Sequence, residues 1–182
     1  ANYGSSMSLP YATIKYACSQ ATSGTIIMVG PGTFTEQLPI VVPANVAIVG
    51  SGNRLTFVQP AAGLSDDTIT PNANATMWKM SDGSVITEMA FQGMTGWVPG
   101  GTPGDITTST PAGIYVAFNS GAITKTPNVF RCSVLNSTGA IGAYLDGSLH
   151  ASGLRSMAFH YYNIQAADGV GIWAANNARP EL

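Results

Sequence analysis

The sequence predicts an all-β chain: a single-stranded parallel β-helix, or solenoid, preceded by a short N-terminal helix. Three observations predict it. Only 9% of the 182 residues are charged, against 21 Gly, 11 Pro and 45% hydrophobic residues; an average soluble domain carries roughly 25% charged residues. Apolar runs of four or five residues recur between Gly, Pro and Asn, as short strands do. Gly113-Ile114-Tyr115-Val116, Gly142-Ala143-Tyr144-Leu145 and Gly171-Ile172-Trp173-Ala174 repeat one pattern, and their three glycines are evenly spaced along the chain.

The composition also excludes several classes. Disorder needs low hydrophobicity with high net charge. A helical bundle needs Glu, Lys and Arg on its solvated faces. A net charge of -2 supplies no basic field for phosphates, so no nucleic-acid partner is expected. No apolar run approaches the roughly 18 residues that cross a bilayer, so no membrane insertion is expected. The first residues show neither a charged n-region nor an apolar h-region. The last, Ala178 to Leu182, follow an apolar run directly, so the chain is expected to be part of a longer one.

Residues 1–24 form the N-terminal segment. Ile14, Ala17, Cys18 and Ala21 recur at helical spacing and make one apolar stripe, with Gly24 as punctuation. From residue 25 to 182 the period is that of strands. Thr25 to Val29 is turned by Gly30-Pro31-Gly32 and followed by Leu38–Val42, Val46–Val49 and Leu55–Val58. Met89-Ala90-Phe91 returns as Met157-Ala158-Phe159, and Val129 to Val134 reads as one strand between them. An antiparallel sandwich would use Asp82-Gly83, Asp146-Gly147 and Asp168-Gly169 as hairpin turns. Those turns fall inside the repeat, so the solenoid is preferred. Its coils would stack about 4.8 Å apart and align Tyr115, Tyr144 and Trp173 in one aromatic ladder. Thr95 to Ala112, rich in Pro, Gly and Thr, breaks the period as an inserted loop at 95–112.

Tyr11 to Gly50 carries a resemblance. A short helix, a strand, Pro31-Gly32-Thr33-Phe34-Thr35-Glu36 and an apolar strand resemble the opening of pectate-lyase-like right-handed β-helices, whose helix caps the first coil. Three further stretches extend the likeness: Phe91 to Trp97, Gly142 to Gly153, and Asp168 to Trp173. Together they resemble virion structural proteins of marine cyanophages. The resemblance implies a right-handed β-helix and a particle component of the tail, baseplate or a fibre. It implies a location in the virion and partners among other virion proteins, with homo-oligomers expected. It supplies no catalytic residues.

The ionisable residues form no catalytic constellation, and the chain is read as non-enzymatic, with no metal and no cofactor. Hydrolases of this shape need paired carboxylates. Asp66 and Asp67 are adjacent, so on a strand they would face opposite sides, and they read as loop capping. Asp82, Asp146 and Asp168 precede Gly as turn residues do. His150 and His160 have no metal-ligand spacing. Cys18 and Cys132 read as buried free thiols. A wall of short polar side chains needs few ion pairs and tolerates high salt. Such a wall meets neighbouring subunits or flat host-surface glycans through aromatics, and Trp97, Tyr161 and Tyr162 are the candidate binding residues. The alternative function is a glycan-binding or glycan-cleaving tailspike-type domain.

Overall fold

The apolar stripe at the start folds as expected. Helix α1 (Ile14–Gln20) buries Ile14, Ala17 and Cys18 and exposes its other face. Thr13 caps it, its hydroxyl accepting the Tyr16 N–H at 3.1 Å, which satisfies one donor that a helix start leaves open. The helix ends at Gln20 rather than near Gly24, which sits with φ 88° in the turn beyond it. The structure is a computed structural model. It describes residue 4 and residues 8–61, 76–94, 113–118, 123–138, 140–146, 157–167, 170–175 and 178–182.

Beyond α1 the strands come in threes, one set per coil. Coil one holds β1 (Ile26–Met28), β2 (Gly32–Glu36) and β3 (Ile40–Val42). Coil two holds β4 (Ala47–Val49), β5 (Thr56–Pro60) and β6 (Thr76–Met80). Coil three holds β7 (Val85–Thr87), β8 (Ala90–Gln92) and β9 (Ile114–Phe118). Coil four holds β10 (Asn128–Phe130), β11 (Ser133–Thr138) and β12 (Ile141–Asp146). Coil five holds β13 (Met157–His160), β14 (Asn163–Ala167) and β15 (Val170–Ala175), and β16 (Pro180–Glu181) opens a sixth turn.

Every pairing between coils is parallel. Sheet A contains β1, β4, β7, β10, β13 and β16; sheet B contains β2, β5, β8, β11 and β14; sheet C contains β3, β6, β9, β12 and β15. The fold is the expected right-handed parallel β-helix. Each strand finds its ladder partners one coil away, so short strands suffice.

The core is a set of inward ladders. Sheet A contributes Ile27, Ile48, Ile86, Val129 and Phe159 in register. Sheet B contributes Phe34, Val58, Phe91, Val134 and Ile164. Sheet C contributes Ile40, Trp78, Val116, Ala143 and Ile172. Coil four supplies only Val129, Val134 and Ala143 to these rows. Interiors keep near-crystalline density, and both neighbouring coils fill that space with aromatics. Tyr115 of coil three is fully buried. Tyr162 of coil five stacks on Phe159 at 5.3 Å and donates its hydroxyl to the Gly142 carbonyl at 2.9 Å.

The register corrects four expectations. Ile141 pairs with Ile114 and Tyr144 with Ala117, a step two positions shorter than the one that pairs Tyr144 with Trp173. The aromatic ladder therefore holds only Tyr144 and Trp173, 6.5 Å apart. Tyr115 falls beside Gly142 and turns inward. Second, the glycine spacing is no fixed period: Ile26 pairs with Ala47 after a short coil, and Val85 pairs with Asn128 after a much longer one. Third, Met89-Ala90-Phe91 leads into sheet B while Met157-Ala158-Phe159 lies in sheet A. Fourth, Val129 to Val134 is two strands, because the chain bends at Arg131 with φ 49°.

Connection lengths explain the variable period. From sheet B to sheet C two connections are long in sequence, from Pro60 to Thr76 between β5 and β6 and from Gln92 to Ile114 between β8 and β9. The insertion expected at 95–112 falls in the second and lies outside the described residues; the first was not anticipated. From sheet A to sheet B only two residues intervene in coils three, four and five.

Candidate functional site

The two-residue corner between sheets A and B has one construction in three successive coils. A single residue with positive φ ends the sheet A strand: Glu88 at 58°, Arg131 at 49° and Tyr161 at 54°. The residue after it points into the tube: Met89, Cys132 and Tyr162. Backbone bonds hold the corners in a column, with the Glu88 N–H donating to Phe130 O at 3.3 Å and the Arg131 N–H to His160 O at 2.9 Å. Below Glu88 the column begins at Gly50, whose N–H donates to Thr87 O at 2.9 Å. A Cβ at Gly50 would overlap the Glu88 carbonyl oxygen, so only glycine fits there.

Left-handed backbone disfavours these three side chains by roughly 1–2 kcal/mol each. Glycine, or Asn with its local hydrogen bonds, suits it better, yet the column displays a carboxylate, a guanidinium and a phenol. Arg131 Nη1 meets Glu88 Oε1 at 3.0 Å. The Arg131 guanidinium lies 5.1 Å from the centre of the Phe130 ring. Tyr161 meets the same ring edge-on, 5.8 Å away, and His160 lies 6.3 Å from it. Tyr161 is 79% exposed. An exposed ion pair contributes about 0–1 kcal/mol, too little to offset the backbone strain of the column.

The adjacent tyrosines proposed as binding residues therefore part company at this corner. Tyr161 stands on the outside. Tyr162 is half-buried and packs on the core, and burial pushes its phenol well above the ordinary tyrosine range, with Cys132 and Tyr115 adding to the rise. Trp97, the third candidate, lies outside the described residues. Sequence reasoning missed Glu88, Phe130 and Arg131 and read His160 only as lacking a metal-ligand spacing. Their neighbourhood depends on the pairing of Thr87 with Phe130 across a long stretch of sequence, which no local pattern announces.

The corner from sheet C to sheet A is built differently. Asp82 accepts the Thr124 N–H at 2.6 Å, the Thr124 hydroxyl at 2.7 Å and the Lys125 N–H at 2.7 Å. Lys125 Nζ donates to Asn45 Oδ1 at 3.0 Å. Partial desolvation works to raise the Asp82 carboxyl, but these donors and the Lys125 charge hold it below the usual carboxylate range. Positive φ is taken here by Asn45 (55°) and Gly83 (62°), which tolerate it. Asp82-Gly83 is a turn, as expected, but one that joins β6 of sheet C to β7 of sheet A rather than two strands of a hairpin.

Glu36 and the two thiols have structural surroundings. Glu36, which ends the Pro31 to Glu36 element, is buried and accepts the Ile14 N–H at 2.7 Å and the Lys15 N–H at 3.1 Å. It thus clamps the capping helix to coil one. Burial raises its carboxyl above the ordinary value, and the two N–H groups and Lys15 only partly oppose this. Cys18 and Cys132 are buried and free, and burial pushes each thiol up to about 12. Among the described residues no three His, Cys, Asp or Glu side chains come together as a metal site. Asp66, Asp67, His150 and Asp168 lie outside the described residues, as does the side chain of Asp146.

No curated protein and no solved structure matches the chain. A family profile does, over residues 1–92, which takes in α1, the clamp at Glu36 and strands β1 to β8. With just over half of its 182 residues matched, the chain belongs to the family described as "Protein of unknown function (DUF1565)".

Proposed function

We propose that the chain is a structural component of a phage virion, in the tail, baseplate or a fibre, where the tube serves as a rigid scaffold or host-attachment module. The observation that carries this reading is the use of two described carboxylates: Glu36 fastens the cap and Asp82 ties one coil to the next. These contacts stiffen a tube. The stretches that resemble cyanophage virion proteins support the particle assignment. On β1, Ile26 and Met28 face outward and exposed, which supports packing against other virion proteins or further copies of this chain.

Gold-labelled antibody against the domain, applied to purified intact virions and viewed by electron microscopy, tests the proposal. Label on tail, baseplate or fibres is the expected result. Label on the head moves the role to capsid decoration, and absence of label overturns it. A second reading, a glycan-binding or glycan-cleaving tailspike-type domain, draws on the exposed Tyr161 beside Arg131 and Glu88.

A further inference from the structure

We infer that the column formed by Glu88, Arg131 and Tyr161, with Phe130 and His160 beside it, is a binding site for a neutral, hydroxyl-rich pyranose ring of a glycan. This deepens the attachment arm of the function proposed above, but it is argued from the column alone.

Three observations carry it. The first is the choice of side chains at a bend that the fold itself needs. Three successive corners hold a non-glycine residue at φ between 49° and 58°, although the network at the other corner places Asn45 and Gly83 at such angles. The side chains so displayed contribute a half-exposed ion pair, the Arg131 guanidinium against the Phe130 ring and ring edges, each of them weak at an exposed site. Strain of this kind points to function. The second is chemistry. An exposed phenol ring offers an apolar face to the C–H face of a sugar, and Phe130 holds it edge-on. Hydroxyls both donate and accept, and the column offers guanidinium donors beside a carboxylate acceptor.

The third is charge and size, which separate the competing ligands. Arg131 and Glu88 neutralise each other at 3.0 Å, so the column has no net field to draw an anionic sugar. A stable protein partner needs about 800 Å² per side, more than three stacked corner residues present. The corners are also rigid, being two residues long and bonded coil to coil. A preformed site loses little entropy on binding.

The test is titration of the isotope-labelled chain with neutral gluco-, galacto- and manno-hexasaccharides and with oligogalacturonate, followed by NMR. Tyr161 ring signals and the Arg131 amide are expected to shift with at least one neutral probe. Tyr161→Gly and Arg131→Gly are each expected to weaken that binding at least tenfold while leaving the thermal midpoint unchanged. Tyr161→Asn, which also tolerates positive φ, serves if the glycine variant misfolds. No shift with any neutral probe overturns the inference, as does binding that survives Tyr161→Gly or Tyr161→Asn. Tighter binding of oligogalacturonate overturns the assignment to neutral sugars. These outcomes are independent of where gold label falls on a virion.

Discussion

Two corners of one tube solve the same problem with opposite materials. Both must reverse the chain between sheets and stack that turn on the coil below. The corner from sheet C to sheet A gives positive φ to Asn45 and Gly83 and commits Asp82 to three hydrogen bonds to the next coil. The corner from sheet A to sheet B gives positive φ to Glu88, Arg131 and Tyr161 and leaves Arg131 and Tyr161 exposed and Glu88 partly so. The first turn is built for stability. The second is strained, and the strain presents chemistry. In a solenoid, where stability is close to a sum over neighbouring coils, one corner can carry the fastening and another the display.

If the contrast is sound, substitutions at the two corners have different magnitudes and even different signs. The largest effect is expected where the display column meets its base. Gly50→Ala drives a Cβ into the Glu88 carbonyl and should destabilise by about 3 kcal/mol, the upper range for overpacking, seen as a lower urea midpoint. Asp82→Ala leaves the Thr124 and Lys125 N–H groups without their acceptor. Its loss should be about 2 kcal/mol, since bonds to a charged group are the stronger kind. Glu88→Ala, which removes one exposed ion pair, should stay within about 0.5 kcal/mol of the parent. Equal losses at Asp82 and Glu88 would erase the distinction between the corners.

Acidification separates the fastening carboxylates by sign. Asp82 has a lowered folded value, so its contribution is present above the ordinary 3.8 and is lost as pH falls through that lower value. Glu36 has a raised value, so the folded state is favoured below 4.5 and loses that advantage as pH rises through the raised value. Asp82→Asn should therefore flatten the acid limb of the stability curve. Glu36→Gln should flatten the opposing slope above 4.5. Urea unfolding at a series of pH values checks both.

The fold class was legible because it rests on composition and on where breakers fall. The capping helix was legible from one stripe, Ile14, Ala17 and Cys18, all buried. Register was not. Val129 to Val134 reads as one strand because the corner within it is Arg131-Cys132, with no Gly, Asn or Pro to mark the bend. The glycine spacing matches the register from Gly142 to Gly171, where Tyr144 meets Trp173, but not from Gly113, where the pairing falls two positions short. Of the candidate site, Tyr161 was visible as an aromatic, while its opposite orientation to Tyr162 follows from a single backbone angle. The residues most hidden from the sequence are those that break a local rule, as positions under functional constraint do.

The smallest effect is the most diagnostic. Replacing Glu88, Arg131 or Tyr161 by Asn keeps a side chain that tolerates positive φ and avoids the extra unfolded-state entropy of glycine. Each change removes backbone strain of roughly 1–2 kcal/mol. Each also removes weak contacts: the exposed pair, worth about 0–1 kcal/mol, with, for Arg131, the contact of its guanidinium with Phe130, worth about 0.5–1 kcal/mol, or, for Tyr161, the Phe130 edge, worth about 0.5–1.5 kcal/mol. The balance predicts stability within about 0.5 kcal/mol of the parent, or slightly above it. Asn45→Tyr inverts the experiment, placing a bulky residue at positive φ where Asn now sits and removing the Lys125 acceptor. That variant should lose about 2 kcal/mol, measured by thermal or urea unfolding. A column that loses stability on Glu88→Asn or Tyr161→Asn is held by its side chains, and the strain then has a structural use. A column that loses none keeps those side chains for something outside the fold.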